Sequence, residues 1–258
     1  MKKDIIIITQ ARVGSSRLRD KLFLKAGRRT LLNIHLNRLK KVKKASLIIL
    51  STTHEKGVNK IIDIAKEEGI SFFQGSTDNV LDRFYKSVKK LRPDFIVRVT
   101  SDCPLIDPNL IDDMITFAIQ HNLDYISNGL INYFPDGQDV EVVKFKSLHE
   151  AWKNAKLKSE LEHVTPYIIN NSDFKGKTYF KAKNFKINLK KDYSKVRMTV
   201  DYYSDFETIN TLINNLGFNK NWIEYADFIL ENKKLFSNQM LTRNESFYNQ
   251  LLNEKKKY

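Results

Sequence analysis

Short apolar runs alternate with amphipathic segments through the first half of this 258-residue chain, and few architectures accommodate that rhythm. Residues 5–9 read as a buried strand, and 47–50, 70–73, 95–99 and 124–127 as four more. Between them lie helical patterns: Thr30 caps one that runs to about Val42, another spans 57–68, a third runs from Asp78 as its N-cap to Leu91, and Pro108 opens a fourth that ends near His121. Strand–helix alternation at this spacing predicts an α/β fold with a mostly parallel sheet and helices on both faces.

After Asn128 the rhythm changes. Residues 132–145 read as an extended excursion with a turn at Pro135-Asp136-Gly137, 147–155 and 160–170 as helices, and 174–189 as β-rich, with Gly176 and Asn184 as turn residues. A core strand is expected at 196–200, then helices near 206–216 and 222–231. The stretch 243–258 is polar, ends in Lys255-Lys256-Lys257, and reads as a loosely attached helix or disorder. Without internal repeats or a long linker, one domain over 1–235 is expected, carrying an inserted arm at about 128–189 and followed by a polar tail, 236–258.

Hydrophobic residues at 41% and charged residues at 29% allow a sizeable core and argue against global disorder. The single cysteine, Cys103, excludes a disulfide framework and any multi-cysteine zinc or iron–sulfur site. No apolar run reaches the roughly 18 residues of a membrane helix, and the N-terminus lacks a signal-peptide pattern, so a soluble cytoplasmic protein is expected. A net charge of +14, mostly lysine, reads as a solvated surface rather than a nucleic-acid or membrane interface. Arginine is more informative: Arg12, Arg17 and Arg19 crowd into one loop.

That loop, Gln10-Ala-Arg-Val-Gly-Ser-Ser-Arg-Leu-Arg-Asp-Lys21, follows the first strand, where ligands of open α/β sheets bind. Gly14, Ser15 and Ser16 offer backbone and hydroxyl donors to phosphate oxygens, and Arg12, Arg17 and Lys21 offer cations for a leaving pyrophosphate. Neither GxxxxGK[ST] nor GxGxxG is present, and the bland alternative is a basic surface turn. A second segment, Arg98-Val-Thr-Ser-Asp-Cys-Pro-Leu-Ile-Asp-Pro108, places Asp102 at the end of a strand, where one carboxylate can hold Mg²⁺ against phosphates or merely cap a turn. Cys103 reads as a packing residue, having no evident base. A third, Arg197-Met-Thr-Val-Asp201, ends in an acid in the same way; if the two strands are neighbours, the acids converge.

Together these segments resemble the SpsF-type cytidylyltransferase-like family, related to the acylneuraminate and 3-deoxy-manno-octulosonate cytidylyltransferases. Gly75-Ser-Thr-Asp-Asn-Val-Leu-Asp-Arg83 and Gly137-Gln-Asp-Val-Glu141 with Glu162-His-Val-Thr-Pro-Tyr-Ile168 extend the match, which runs in order from about residue 5 to 216. The resemblance implies a GT-A-like, Rossmann-related fold whose inserted arm often serves dimerisation, hence a homodimer. It puts the triphosphate on Arg12, Ser15, Ser16, Arg17 and Lys21, the base near Ala11, Thr52, Gly75 and Arg83, and Mg²⁺ on Asp102 and Asp201. The acceptor pocket falls to Asp139, Glu141, His163 and Arg197. Two departures stand out. Arg19 and Asp20 occupy positions usually held by Pro and Gly, and the usual Pro after the second acid is replaced by Tyr202.

The acceptor residues also have plainer readings. Asp139 and Glu141 share one face of an expected strand and could simply pair with surface lysines, and a lone helical histidine is more often packed or solvated than catalytic. The expectation is a Mg²⁺-dependent cytidylyltransferase that moves CMP from CTP to a small anionic sugar-type acceptor, a sugar acid or a sugar or polyol phosphate, for surface polysaccharide precursors. Three rivals stay open. A glycosyltransferase would use a nucleotide-sugar, although Ser101-Asp102-Cys103 lacks the usual Asp-x-Asp. A polyanion-binding protein would rely on Lys177-Thr-Tyr-Phe-Lys-Ala-Lys183, the one stretch of that kind, which an edge strand guarded by lysines explains as well. A non-catalytic relative would explain Arg19-Asp20.

Overall fold

The computed structural model of this chain describes residues 3–15 and 17–243; Ser16 and 244–258, which hold most of the expected polar tail, lie outside the described residues. Seven strands form one sheet: β1 (Ile5–Gln10), β2 (Leu47–Thr52), β3 (Ser71–Gln74), β4 (Phe95–Thr100), β5 (Tyr125–Ser127), β6 (Glu141–Lys144) and β7 (Ala182–Asn184), in the order β3-β2-β1-β4-β6-β5-β7. All neighbouring pairs are parallel except those of β6, which runs antiparallel to both β4 and β5.

The run of four isoleucines in β1 is explained by its central position. Ile5 and Ile7 pack with α1 (Leu31–Leu39), α4 (Pro108–Gln120), α8 (Tyr203–Leu216) and α9 (Trp222–Glu231). Ile6 and Ile8 pack on the opposite face with α3 (Val80–Val88), α5 (Phe145–Asn154) and α7 (Pro166–Asn170). A central parallel strand is covered on both faces, so it is apolar throughout rather than alternating. Each such side chain stabilises the fold by about 1.5–3 kcal/mol.

Local signals set most helix starts. Thr30 accepts from the Asn33 N–H at 3.2 Å, and Asp107 accepts from the Asn109 N–H at 2.8 Å with Pro108 in the first turn. For α3 the cap is Asn79, which accepts from the Asp82 N–H at 2.9 Å, and not Asp78: the helix starts one residue later than expected. The helix expected at 160–170 is two, α6 (Lys158–His163) and α7, because Pro166 has no N–H to continue the ladder. Between them Val164 turns at φ 72°, ψ −51°, and the Thr165 N–H donates to the His163 carbonyl at 2.8 Å, a γ-turn.

Three other expectations change. The excursion after Asn128 returns into the heart of the sheet as β6, between β4 and β5. The stretch 174–189 holds only the short β7 and part of one 3₁₀ turn, not a β-rich unit. Residues 196–200 are buried and extended but form no ladder. Asp136 N–H donates to the Val196 carbonyl and Met198 N–H to the Asp136 carbonyl, but Val200 N–H donates to the Asp102 carbonyl at 2.8 Å. Its hydrogen bonds are thus split among several segments, and the last one draws the Asp201 end beside Asp102. Gly137 makes the approach possible: at φ 102°, a Cβ there would lie 2.6 Å from the Met198 carbonyl carbon and the Thr199 nitrogen.

Candidate active site

Two cavities open along the carboxyl ends of β1 and β4, one of about 540 Å³ and one of about 490 Å³. They meet at Gln10, Arg17, Arg98, Thr100, Asp102, His163 and Asp201, which line both.

The smaller cavity is built from the loop after β1. Ala11, Arg12, Ser15, Arg17 and Lys21 line it, with Arg83 from α3 and Asp102. Arg83 donates to the Ser76 carbonyl, and burial, with the charge of Arg12, lowers its pKa to about 10. Gly14 turns aside, its N–H donating to Glu55 at 3.3 Å. Thr52 and Gly75 lie just behind the wall. The Gly75 N–H donates to the Thr52 carbonyl at 3.0 Å, and a side chain on Gly75 would strike the stem of Arg83 at 2.9 Å. Thr52 Oγ1 and Gln10 Oε1 are buried without partners. Asp20 adopts the left-handed conformation, φ 55° and ψ 20°, just where the family resemblance places a glycine. Aspartate tolerates that region better than most residues, so the loop keeps its turn.

Asp102 and Asp201 converge at the junction. Lys21 Nζ donates to Asp201 Oδ1 at 3.0 Å, to Asp102 Oδ2 at 3.5 Å and to the Val200 carbonyl at 2.6 Å, and Arg17 reaches Asp201 Oδ1 at 2.7 Å. Burial works against charge on Lys21, but the two acids raise its pKa. Burial likewise opposes ionisation of Asp102, yet Lys21 and the Thr100 hydroxyl hold it below the usual carboxylate range. Among the described residues no three potential ligands cluster. Two hard carboxylates sharing one ammonium nevertheless suit a divalent cation that takes one or two protein carboxylates and completes its shell with phosphates and water. His35 steadies the Asp102 loop from below. It bonds Thr9 Oγ1 at 2.8 Å and the Cys103 carbonyl at 2.9 Å, and burial depresses its pKa to about 4, so it stays neutral. Cys103 is buried, and burial with the charges of Asp102 and Asp139 pushes its thiol well up, which suits packing and not nucleophilic attack.

Asp139, Glu141, His163 and Arg197 line the larger cavity. Here most ionic groups are paired with one another. Arg197, 4% exposed, forks onto Asp205 with two bonds of 2.8 Å and reaches Asp136 at 2.7 Å. Asp205 also accepts from the Asp201 and Tyr202 N–H groups, at 2.9 and 3.0 Å, so this cluster sets the backbone that carries Asp201. Burial and neighbouring Asp139 raise the Asp136 pKa to about 7. Arg98 pairs with Glu141, which also accepts from the Tyr125 and Thr165 hydroxyls. Arg243 pairs with Asp139 and donates to the Phe134 carbonyl at 2.9 Å. Residues 236–243, placed in the tail by sequence, pack down here: Gln239 bonds both the N–H and the carbonyl of Arg197.

Sequence reading did not nominate Arg98, Asp136, Thr165, Asp205 or Arg243 as site residues. The first three stand inside segments already singled out, so position within a motif could have flagged them. Nothing local marks Arg243, whose place depends on the chain folding back over about a hundred residues to reach Asp139.

The cytidylyltransferase family matches residues 6–246. An uncharacterized protein of Methanocaldococcus jannaschii, MJ1063, is 38% identical over 94% of this chain and 97% of its own length. The spore coat polysaccharide biosynthesis protein SpsF of Bacillus subtilis is 31% identical over 83% of this chain and 88% of its own. The solved structure of a cytidylyltransferase from Leptospira borgpetersenii superposes with a TM-score of 0.84 at 32% identity, covering 93% of this chain and all of that one. With this α/β sheet, and with the loop after β1 and the paired acids at its edge, the chain belongs to the cytidylyltransferase family and is a nucleotidyltransferase.

Proposed function

We propose that this enzyme transfers CMP from CTP to a small anionic sugar-type acceptor, a sugar acid or a sugar or polyol phosphate, and releases pyrophosphate. The observation that carries the reading is the meeting of two cavities at Asp102 and Asp201, with Lys21 between the acids. In it the smaller cavity takes the nucleotide: Arg12, Ser15, Arg17 and Lys21 receive the triphosphate, and Ala11 and Arg83 flank the base, with Thr52 and Gly75 behind. The acceptor enters the larger one, past Asp139, His163 and Lys175, a cation at its exposed side that stacks on Phe174. An acceptor oxygen then forms the new bond to the α-phosphorus in line as the bond to pyrophosphate breaks.

Asp102 and Asp201 are the residues that would hold Mg²⁺, whose chemistry there is to offset phosphate charge. Lys21 and Arg17, already beside the acids, follow the charge that develops on the leaving pyrophosphate. Arg197 acts by fixing the Asp201 backbone through Asp205. The reading extends to a cytoplasmic homodimer that supplies precursors for surface polysaccharide, in keeping with the spore coat polysaccharide biosynthesis of the Bacillus subtilis relative.

The test needs no acceptor at first. Melting temperature is measured with CTP, UTP, ATP, GTP and dTTP, with and without Mg²⁺, since a ligand that binds only the folded state raises it. A shift selective for CTP and enlarged by Mg²⁺ is expected, followed by pyrophosphate release with a matching sugar acid or sugar phosphate. No shift with any triphosphate overturns the reading.

A further inference from the structure

Arg98 on β4 stands directly opposite Glu141 on antiparallel β6, and its Nη1 donates to Glu141 Oε2. The other oxygen, Oε1, accepts from Tyr125 OH at 2.6 Å and from Thr165 Oγ1 at 2.6 Å. Glu141 is therefore held by three donors, from β4, β5 and the turn before α7. A guanidinium has five N–H donors. Arg98 spends one on Glu141, its Nε–H is buried without a partner, and its side chain lines both cavities where they meet.

The other arginines of the site are placed differently. Arg197 has Nε, Nη1 and Nη2 all on carboxylates. Arg243 touches only the acceptor side, through Asp139, Asp136 and the Phe134 carbonyl. Arg17 also lines both cavities, but it sits on a loop and is turned onto Asp201. Arg98 rises from a strand in the middle of the sheet, backed by the Phe84 ring 5.9 Å from its Cζ. Burial opposes its charge, and Glu141, Tyr125 and Asp102 together more than restore it. A fixed, charged fork with spare donors at a cavity junction is suited to a phosphoryl or carboxylate group.

We propose that Arg98 grips the α-phosphoryl group of the nucleotide at the junction of the two cavities, with Glu141 as the residue that positions it. This rests on the nucleotidyl-transfer reading above. In that reaction the α-phosphorus is the one group that both substrates must reach. The acceptor oxygen forms its bond to phosphorus, a hydroxyl acceptor losing its proton to water. The bond to pyrophosphate breaks, and its electron pair leaves with the pyrophosphate. A donor fork on the non-bridging oxygens stays in place throughout, whereas Lys21 and Arg17 serve the leaving group.

The experiment compares wild type, E141Q, the double variant R98M/E141Q and R98K. The probes are cytidine, CMP and CTP, with binding measured by calorimetry and folding checked by melting. The double variant removes the cation without leaving an uncompensated carboxylate. Wild type is expected to bind CMP more tightly than cytidine, and R98M/E141Q to lose about tenfold or more of that preference relative to E141Q. R98K, which keeps charge but not the fork, is expected to fall between, with kcat reduced more than KM for CTP is raised. If R98M/E141Q does not fold, R98K decides by the same CMP-over-cytidine ratio. An unchanged ratio while wild type binds CMP and CTP overturns the role of Arg98 alone. Failure of wild type to bind either nucleotide overturns the underlying reading as well.

Discussion

The two cavities differ in how their charges are provided. In the smaller cavity, proposed for the nucleotide, Arg12, Ser15, Arg17 and Lys21 come from one short loop, and Arg12 makes no ion pair among the described residues. In the larger cavity, proposed for the acceptor, charges arrive from distant positions and are already matched: Arg98 with Glu141, Arg197 with Asp136 and Asp205, Arg243 with Asp139. A highly charged triphosphate brings enough electrostatic attraction to organise a partly open loop on arrival. The proposed small acceptor brings less, so its pocket has to be rigid beforehand, and buried, hydrogen-bonded ion pairs supply that rigidity.

This contrast predicts that substitutions on the two sides fail in different ways. The largest effect is expected at the junction: Asp102→Asn should lower turnover about a hundred- to a thousandfold, the range for losing one group that supports transition-state charge, while the melting temperature stays within a few degrees. Pyrophosphate release and thermal unfolding check this together, and normal turnover with unchanged Mg²⁺ dependence would remove Asp102 from the mechanism. Next, Arg197→Met should cost about 3–5 kcal/mol of stability, because Asp136 and Asp205 are left buried and unpaired. Urea unfolding reads that loss directly. If Arg197→Met instead unfolds like wild type but fails in turnover, the acceptor side is not pre-built and the contrast is wrong. The smallest effect is expected for Asp20→Gly in the nucleotide loop. It relieves a left-handed residue and should stabilise by up to about 1 kcal/mol. A clear loss of CTP affinity in that variant would show that the aspartate carboxylate, not its backbone, is what the loop needs.

Legibility in the sequence follows the same division. The loop after β1 stands out as a cavity wall because its cations and hydroxyls are nearly consecutive and follow a buried strand. Asp102 could be read for the same reason at the end of β4. The convergence of Asp201 with Asp102 is only conditional in the sequence, on two neighbouring strands; the acids meet although 196–200 is not a ladder strand, because its last backbone bond crosses to Asp102. Glu141 was legible as a residue of interest, but its partner Arg98 was not, since the antiparallel insertion of β6 breaks the parallel rhythm that the sequence suggests. Arg243 was invisible, lying in a stretch whose composition reads as solvent-exposed.

By itself the sequence determined the alternating strands and helices, the burial of β1 and the crowding of cations into the loop after it. All of these depend on neighbours within a few residues, through periodicity, caps and turn chemistry. Only the tertiary structure decided which charges meet: where β6 inserts, how Gly137 lets the 196–200 segment close in, and how 236–243 folds back over the acceptor side. Those contacts join residues tens to nearly two hundred positions apart, as Lys21 and Asp201 show. Local patterns carry no information about such pairings, because packing and charge matching at that range are settled by the whole fold.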